Sequence, residues 1–319
     1  MLEAVAYVAT QQSFRQSPRE SLVRNGMERA FVRATVVEDQ RETLVEIEID
    51  PSRRDVILRN RQRISRSLQL AETLRVTVFT PDDLVLVKGG PAERRQYLDD
   101  LLVASSPKMR TVIQTMEKIL RQRNVLLRQS HGRLSQDIAN TLDVWDAQFC
   151  DAGERVVLER KKLLEDLYPR VAGAFRNLTR LPMSLTLEYQ HAYQGSLREA
   201  LERAREIDLR RGLSTVGPQR DDFSICADAL DARTRLSQGR QRAVTLALRL
   251  GAHEVVSRAV GTSPVLLLDD VFSELDEPTG EALFAELPVG QTLLTTAGVI
   301  PSAATAHCTV LLDQGARRI

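Results

Sequence analysis

Val265-Leu266-Leu267-Leu268-Asp269-Asp270 decides the fold of this chain. Four apolar residues in a row, without alternation, describe a strand covered on both faces, as in a parallel sheet. The two carboxylates then fall at the strand's carboxyl end, where open α/β sheets place their ligand crevice. Working outward, SQGRQRAVTLALRLGAHEVVSRAVG (237–261) has the length and period of a long helix. TGEALFAEL (279–287) is a second helix, QTLLTTA (291–297) a second buried strand and CTVLLDQG (308–315) a last edge strand. Strands alternating with helices in this way predict an α/β architecture with a parallel sheet.

The first third has a different pattern. LEAVAYVA (2–9) is an apolar helix, and FVRATVVE (31–38) and TLVEIEID (43–50) alternate with period two, as a half-buried hairpin does. DVILRN (55–60) adds a third strand, and LRVTVF (74–79) is a covered strand stopped by Thr80-Pro81-Asp82-Asp83. From about residue 93 to 178 glycine and proline are scarce and a helical period dominates. The spacing predicts three long antiparallel helices: one through Leu98 to Leu120, one through Leu134 to Phe149, and one from about Arg155 to Phe175. The chain then divides into a discontinuous head, residues 1–95 and 181–319, and an inserted, mainly helical arm, residues 96–180. Within the second head segment, 183–190 is a strand, 196–212 a charged helix with a glycine stop, and 214–225 strand, turn, strand.

Composition limits the function classes. The 44 basic and 43 acidic residues leave a net charge of +1, so bulk attraction to nucleic acid or an anionic membrane is not indicated. Any DNA contact must come from a local basic patch. Cys150, Cys226 and Cys308 are far apart and form no CxxC, and the four histidines have no metal spacing. A disulfide framework and a zinc site are therefore not expected, and a reducing cytoplasm fits. There is no apolar run of about 18 residues and no basic segment before the first apolar stretch, so neither a membrane span nor a signal peptide is expected.

Two stretches carry chemistry. Asp269-Asp270 is followed by Ser273-Glu274-Leu275-Asp276, and LLLDDxxSELD is similar to the Walker B and D-loop of ABC-type ATPases, the class that includes SMC proteins. Leu236-Ser237-Gln238-Gly239-Arg240-Gln241 opens the long helix and resembles the ABC signature loop, with Arg240 where glutamine is usual. Free N–H groups and the helix dipole suit a phosphate there; the plain alternative is that Ser237 only caps the helix. The resemblance implies that Asp269 holds Mg2+ on the phosphates of ATP. It implies that Asp270 orients or deprotonates the attacking water, and that Ser237, Gln238, Gly239 and Asp276 contact nucleotide. Thr295-Thr296 stands where many ABC proteins place a histidine.

A larger set of motifs occurs in one order along nearly the whole chain. These are FTPDDL (79–84), LVKG (86–89), PAERRQYLD (91–99), GPQRDDF (217–223), the signature loop and LLLDDVFSELD (266–276). Together they resemble the RecF family of bacterial recombination mediators. The resemblance implies an ABC-type (SMC-like) head that forms an ATP-dependent homodimer on double-stranded DNA near gaps. RecO- and RecR-type partners, recombinase loading, replication restart and the SOS response follow from it. Arg61, Arg63, Arg66, Arg94 and Arg95 are the candidate phosphate contacts, without sequence readout. No aromatic residues lie between them, which argues against single-strand stacking.

One departure stands out. The family resemblance implies a GxxxxGK[ST] loop just before a helix reading LLEA, and the 319 residues contain no GxxxxGK[ST]. The chain starts at Met1-Leu2-Glu3-Ala4. The expectation is that the head sheet lacks a strand and that these residues alone hydrolyse no ATP, through a misassigned start or a truncation. The alternative is a remnant pseudo-ATPase that only binds DNA or protein partners. An SMC-like chromosome-structure ATPase would need a far longer coiled coil than residues 96–180 provide.

Overall fold

The computed structural model describes residues 1–38, 40–64, 73–297, 306–312 and 316–318. Helix α1 (Leu2–Thr10) lies between two sheets because it is apolar on more than one side. Its Tyr7 and Val8 pack on Val45, Ile47, Ile49 and Ile57 of an antiparallel sheet. That sheet has the order β1 (Ala30–Glu38), β2 (Arg41–Ile49), β3 (Val56–Arg59), β4 (Gln62–Arg63). The period-two pattern puts the β2 aliphatics inward and Glu46 and Glu48 outward, as the alternation requires. The other side of α1, Leu2 and Ala6, covers Leu267 of the parallel sheet.

Strand β5 (Val76–Phe79) ends at Pro81, where a short 3-10 turn (Pro81–Leu84) begins. The helical region follows as α2 (Pro91–Ser105), α3 (Met109–Gln129) and α4 (Gln136–Thr179). Two sequence expectations fail here. The first predicted helix is divided at Ser106-Pro107, because proline supplies no N–H and disfavours helical geometry before it. The second and third predicted helices are a single helix of 44 residues. Gly153 does not break it; a Cβ there would lie 3.0 Å from Leu197 and 3.1 Å from Pro218, so the glycine permits close packing.

Next come β6 (Leu185–Gln190), α5 (Leu197–Arg211), β7 (Asp222–Ala227) and β8 (Leu230–Asp231), with the sheet order β6-β7-β8. Ser196 caps α5, and Gly212 ends it with φ 65°. No strand forms at 214–216; residues 213–221 are a loop. Helix α6 (Gln238–Val260) leads to β9 (Val265–Asp269), α7 (Glu277–Ala285) and β10 (Thr292–Thr295). Within the 308–315 stretch, β11 (Val310–Leu312) pairs antiparallel with β12 (Ala316–Arg318), and 313–315 lie outside the described residues.

The parallel sheet among the described residues has the order β10-β9-β5. Leu266, Leu267 and Leu268 are at most 1% exposed, which confirms that β9 is covered on both faces. Leu266 and Leu268 face the main core with Val244, Ala247 and Leu248 of α6, while Leu267 faces α1. Burying each leucine is worth about 2 kcal/mol, enough to fix the strand and the acids that follow it. The same core continues into α4 through Leu163, Leu164, Leu167 and Val171.

Candidate functional site

Parallel pairing places Thr295 of β10 directly beside Asp269 of β9. The Thr295 hydroxyl donates to Asp269 Oδ1 at 2.8 Å. The next residue, Asp270, leaves the strand with φ 51°, a left-handed conformation that Asp adopts more readily than most side chains. Its N–H donates to the Thr295 carbonyl at 3.0 Å, and its Oδ1 accepts from the Ala297 N–H at 3.4 Å. Asp269 is buried and Asp270 half-buried, side by side at the strand's carboxyl end. Such unusual backbone at a strand end is where functional sites concentrate.

Asp269 has a second partner that sequence reasoning missed. Arg15, in the loop after α1, donates to Oδ1 at 2.9 Å and to Oδ2 at 2.6 and 3.1 Å. Nothing local in the sequence signals this pair, because 254 residues separate its members. Thr295 was legible only as part of a threonine pair.

Ser237, Gln238 and Gly239 lie at the N-terminus of α6, and all three are exposed. Ser237 Oγ accepts from the Arg240 N–H at 3.5 Å, the capping geometry of the plain alternative. A Cβ on Gly239 would meet nothing within 4 Å, so the turn opens to solvent. The first amides of a helix are free of intrahelical partners and form an anion-binding surface. Asp276 is exposed and caps α7, accepting from the Thr279 N–H at 3.2 Å. Arg242 ties the two stretches together by donating to the Glu274 carbonyl at 2.7 Å.

The candidate DNA-contacting arginines separate into two groups. Arg61, in the β3–β4 turn, and Arg63, in β4, are exposed, and Arg66 lies outside the described residues. Arg94 does not fit a phosphate contact. It is only 8% exposed and forks onto Asp222 at 2.8 and 2.7 Å, so its charge is consumed inside the protein. Arg95 is half-buried and donates to the Asp221 carbonyl at 2.8 Å. Burial, then the nearby Arg160, lowers its pKa below the ordinary arginine value, unlike a solvated phosphate-binding side chain.

These contacts make PAERRQYLD and GPQRDDF two halves of one clamp. Arg160 of α4 forks onto Asp99 at 2.7 and 2.6 Å and donates to the Pro218 carbonyl at 2.8 Å. Buried Asp221 accepts from the Tyr189 hydroxyl at 2.8 Å and the Ala192 N–H at 2.9 Å.

Asp269 and Asp270 offer hard oxygen donors, and no group of three or more His, Cys, Asp or Glu gathers as a cation cage among the described residues. One or two carboxylates with the remaining ligands from phosphate and water is the donor set Mg2+ takes in nucleotide sites. The cationic guanidinium already resting on Asp269 shows that this carboxylate accommodates a positive charge. Among the described residues no helix is long and apolar enough to cross a membrane.

No family model matches the chain. It is 39% identical to the DNA replication and repair protein RecF of Streptomyces avermitilis over 94% of this chain and 84% of that one. It is also 39% identical to the RecF of Frankia alni, over 93% of this chain and 83% of that one. Solved structures of the recombination mediator protein RecF in the RecFOR pathway, described as RecF-ATPrS and RecF-ATP, match at TM-scores of 0.85 and 0.84. Both are 26% identical and cover 100% of this chain and 88% of the solved chains. The Smc head domain from Pyrococcus furiosus, solved with an extended coiled coil, matches at a TM-score of 0.55 and 14% identity, over 100% of this chain and 85% of that one, a likeness of fold. With an ABC-type head fold and relatives this similar over most of their length, the chain belongs to the RecF family of DNA replication and repair proteins.

Proposed function

We propose that this chain acts as a DNA repair and recombination mediator whose grip on double-stranded DNA near gaps is controlled by ATP. The observation that carries the nucleotide half is the strand-end site: Asp269 held by Thr295, with Asp270 one residue beyond in a left-handed turn. Bound Mg2+ would neutralise phosphate charge and fix the phosphates for attack by water. Asp269 would hold that ion, while Thr295 fixes the rotation of its carboxylate. Asp270, half-buried and off the strand axis, would accept the proton of the attacking water. The exposed turn at Ser237, Gln238 and Gly239 would close on the nucleotide of a second copy, with Asp276 at the same interface. A site shared between two copies makes dimerisation follow nucleotide occupancy. Arg61 and Arg63 would meet DNA phosphates, and RecR- and RecO-type mediators would join the complex. Support for the DNA and partner parts comes from the relatives and from the RecFOR pathway named for the solved structures.

The phosphate-cradling GxxxxGK[ST] is not among these 319 residues. The test therefore uses the chain extended at its N-terminus with a strand and a GxxxxGK[ST] loop, followed by sedimentation with ATP, Mg2+ and a gapped duplex. ATP should produce dimers that hold the duplex. Asp270→Asn should keep those dimers and stop hydrolysis, because an amide does not take the proton. Ser237→Arg should bind ATP and remain monomeric. Loss of nucleotide binding by the isolated Ser237→Arg monomer would show that the loop serves its own subunit, and the two-copy site would be wrong.

A further inference from the structure

We infer that Arg15 is a removable counter-ion for Asp269, competing directly with a divalent cation for the same carboxylate. The inference rests on the reading of Asp269 as a metal ligand and adds a control on it. An ionised carboxylate offers about four lone-pair sites. In Asp269 all are taken: Oδ1 by Thr295 Oγ1 at 2.8 Å and Arg15 Nη2 at 2.9 Å, Oδ2 by Arg15 Nη2 at 2.6 Å and Nε at 3.1 Å. A cation that ligates Asp269 must displace the guanidinium, and charge repulsion enforces the exchange.

The geometry suits a part that leaves. The Arg15 side chain is 56% exposed and the Asp269 side chain 11%, so the arginine can return to water while the carboxylate stays. The backbone carrying Arg15 is pinned instead. Gln11 closes α1 with φ 57°, Ser13 donates to the Glu3 carboxylate, and the Ser17 N–H donates to Ser13 Oγ at 3.1 Å. The Phe14 ring, with its centroid 5.7 Å from Arg15 Cζ, gives the released guanidinium an adjacent resting surface. Without either cation, a mostly buried carboxylate would stand uncompensated at the end of an apolar strand, which is costly. Arg15 thus keeps the strand end intact when no metal is bound, and it sets a threshold for metal entry.

The experiment titrates the 319-residue chain with Mn2+, a spectroscopic stand-in for Mg2+, and reads free Mn2+ by electron paramagnetic resonance. Arg15→Gln should tighten Mn2+ binding about fivefold, the scale of a largely exposed ion pair. Arg15→Lys, which keeps a cation nearby but cannot fork both oxygens, should fall between. Equal Mn2+ affinity in wild type and Arg15→Gln, lost from both by Asp269→Asn, overturns the competition and leaves the metal role intact. Binding that ignores Asp269→Asn removes the metal role and the counter-ion with it.

Discussion

Replacing Arg160 with methionine should cost about 3 kcal/mol of folding stability, although the side chain lies far in sequence from every chemically suggestive residue. Arg160 is 2% exposed, and its three donor contacts reach Asp99 twice and the Pro218 carbonyl once. Truncation leaves the Asp99 carboxylate, itself only 17% exposed, without its cation, and it strands a buried carbonyl. Breaking a buried pair by removing one partner typically costs 3–5 kcal/mol; the residual exposure of Asp99 places this case at about the lower end. Urea denaturation followed by circular dichroism measures it directly. For a chain of 319 residues such a loss lowers Tm by roughly 4–5 °C.

The double variant Arg160→Met with Asp99→Leu sharpens the test. If the energy lies in the pair, Asp99→Leu should recover much of the loss, because an apolar replacement leaves no buried charge behind. A single variant within about 1 kcal/mol of wild type, or a double variant equal to the sum of the two singles, would refute the clamp as an energetic unit.

His253 should make stability fall in mild acid. Burial drives its pKa down to about 4, and its ring nitrogens sit 3.1 Å from Thr77 Oγ1 and 3.1 Å from Ser263 Oγ. The unfolded chain then binds the extra proton first, so the contribution is complete above about pH 6.5 and is lost between there and pH 4. Denaturant titrations at pH 7.5, 6 and 5 should show a loss of roughly 1–3 kcal/mol that His253→Gln flattens. Gly217→Ala should destabilise by more than about 1 kcal/mol, since φ is 124° and a Cβ would lie 2.7 Å from the Phe149 ring; an unchanged urea midpoint would contradict this. Purified 1–319 should show no ATP turnover above the Asp269→Asn background in a phosphate-release assay, because the lysine and amide cradle of GxxxxGK[ST] are not in the chain.

The parts of the fold that rest on local signals were legible. Leucines without alternation marked β9, alternation marked β1 and β2, and Ser196 with Gly212 marked the ends of α5. One error, the division at Ser106-Pro107, came from a local proline signal hidden under the helical period, and the others came where tertiary contact overrides a local sign. The break expected between Phe149 and Arg155 is absent: α4 runs on through Gly153, which packs closely on Pro218. Residues 214–216 have a strand-like composition, yet their polar groups are held by side chains: Asn124 accepts from Ser214 N–H at 2.8 Å, and Asp208 accepts from Thr215 N–H at 2.8 Å.

The site divides along the same line. Asp269 and Asp270 were legible because a strand end and two acids are adjacent in sequence. Arg15 was not, because only the fold brings it across 254 residues. Arg94 misled for a related reason: arginine suggests phosphate, and sequence says nothing of burial. The motifs outside LLLDD and the signature turn have a physical role of their own. LLLDD ends in the half-buried Asp270, and the signature turn ends in solvent. PAERRQYLD and GPQRDDF turn toward each other, through Arg94 to Asp222, Arg95 to the Asp221 carbonyl, and Asp99 through Arg160 to the Pro218 carbonyl. Those side chains are spent on fixing α2, α4 and β7 together. A substitution there should therefore appear first in stability and only afterwards in nucleotide or DNA binding, the reverse of what Asp269 or Ser237 should show.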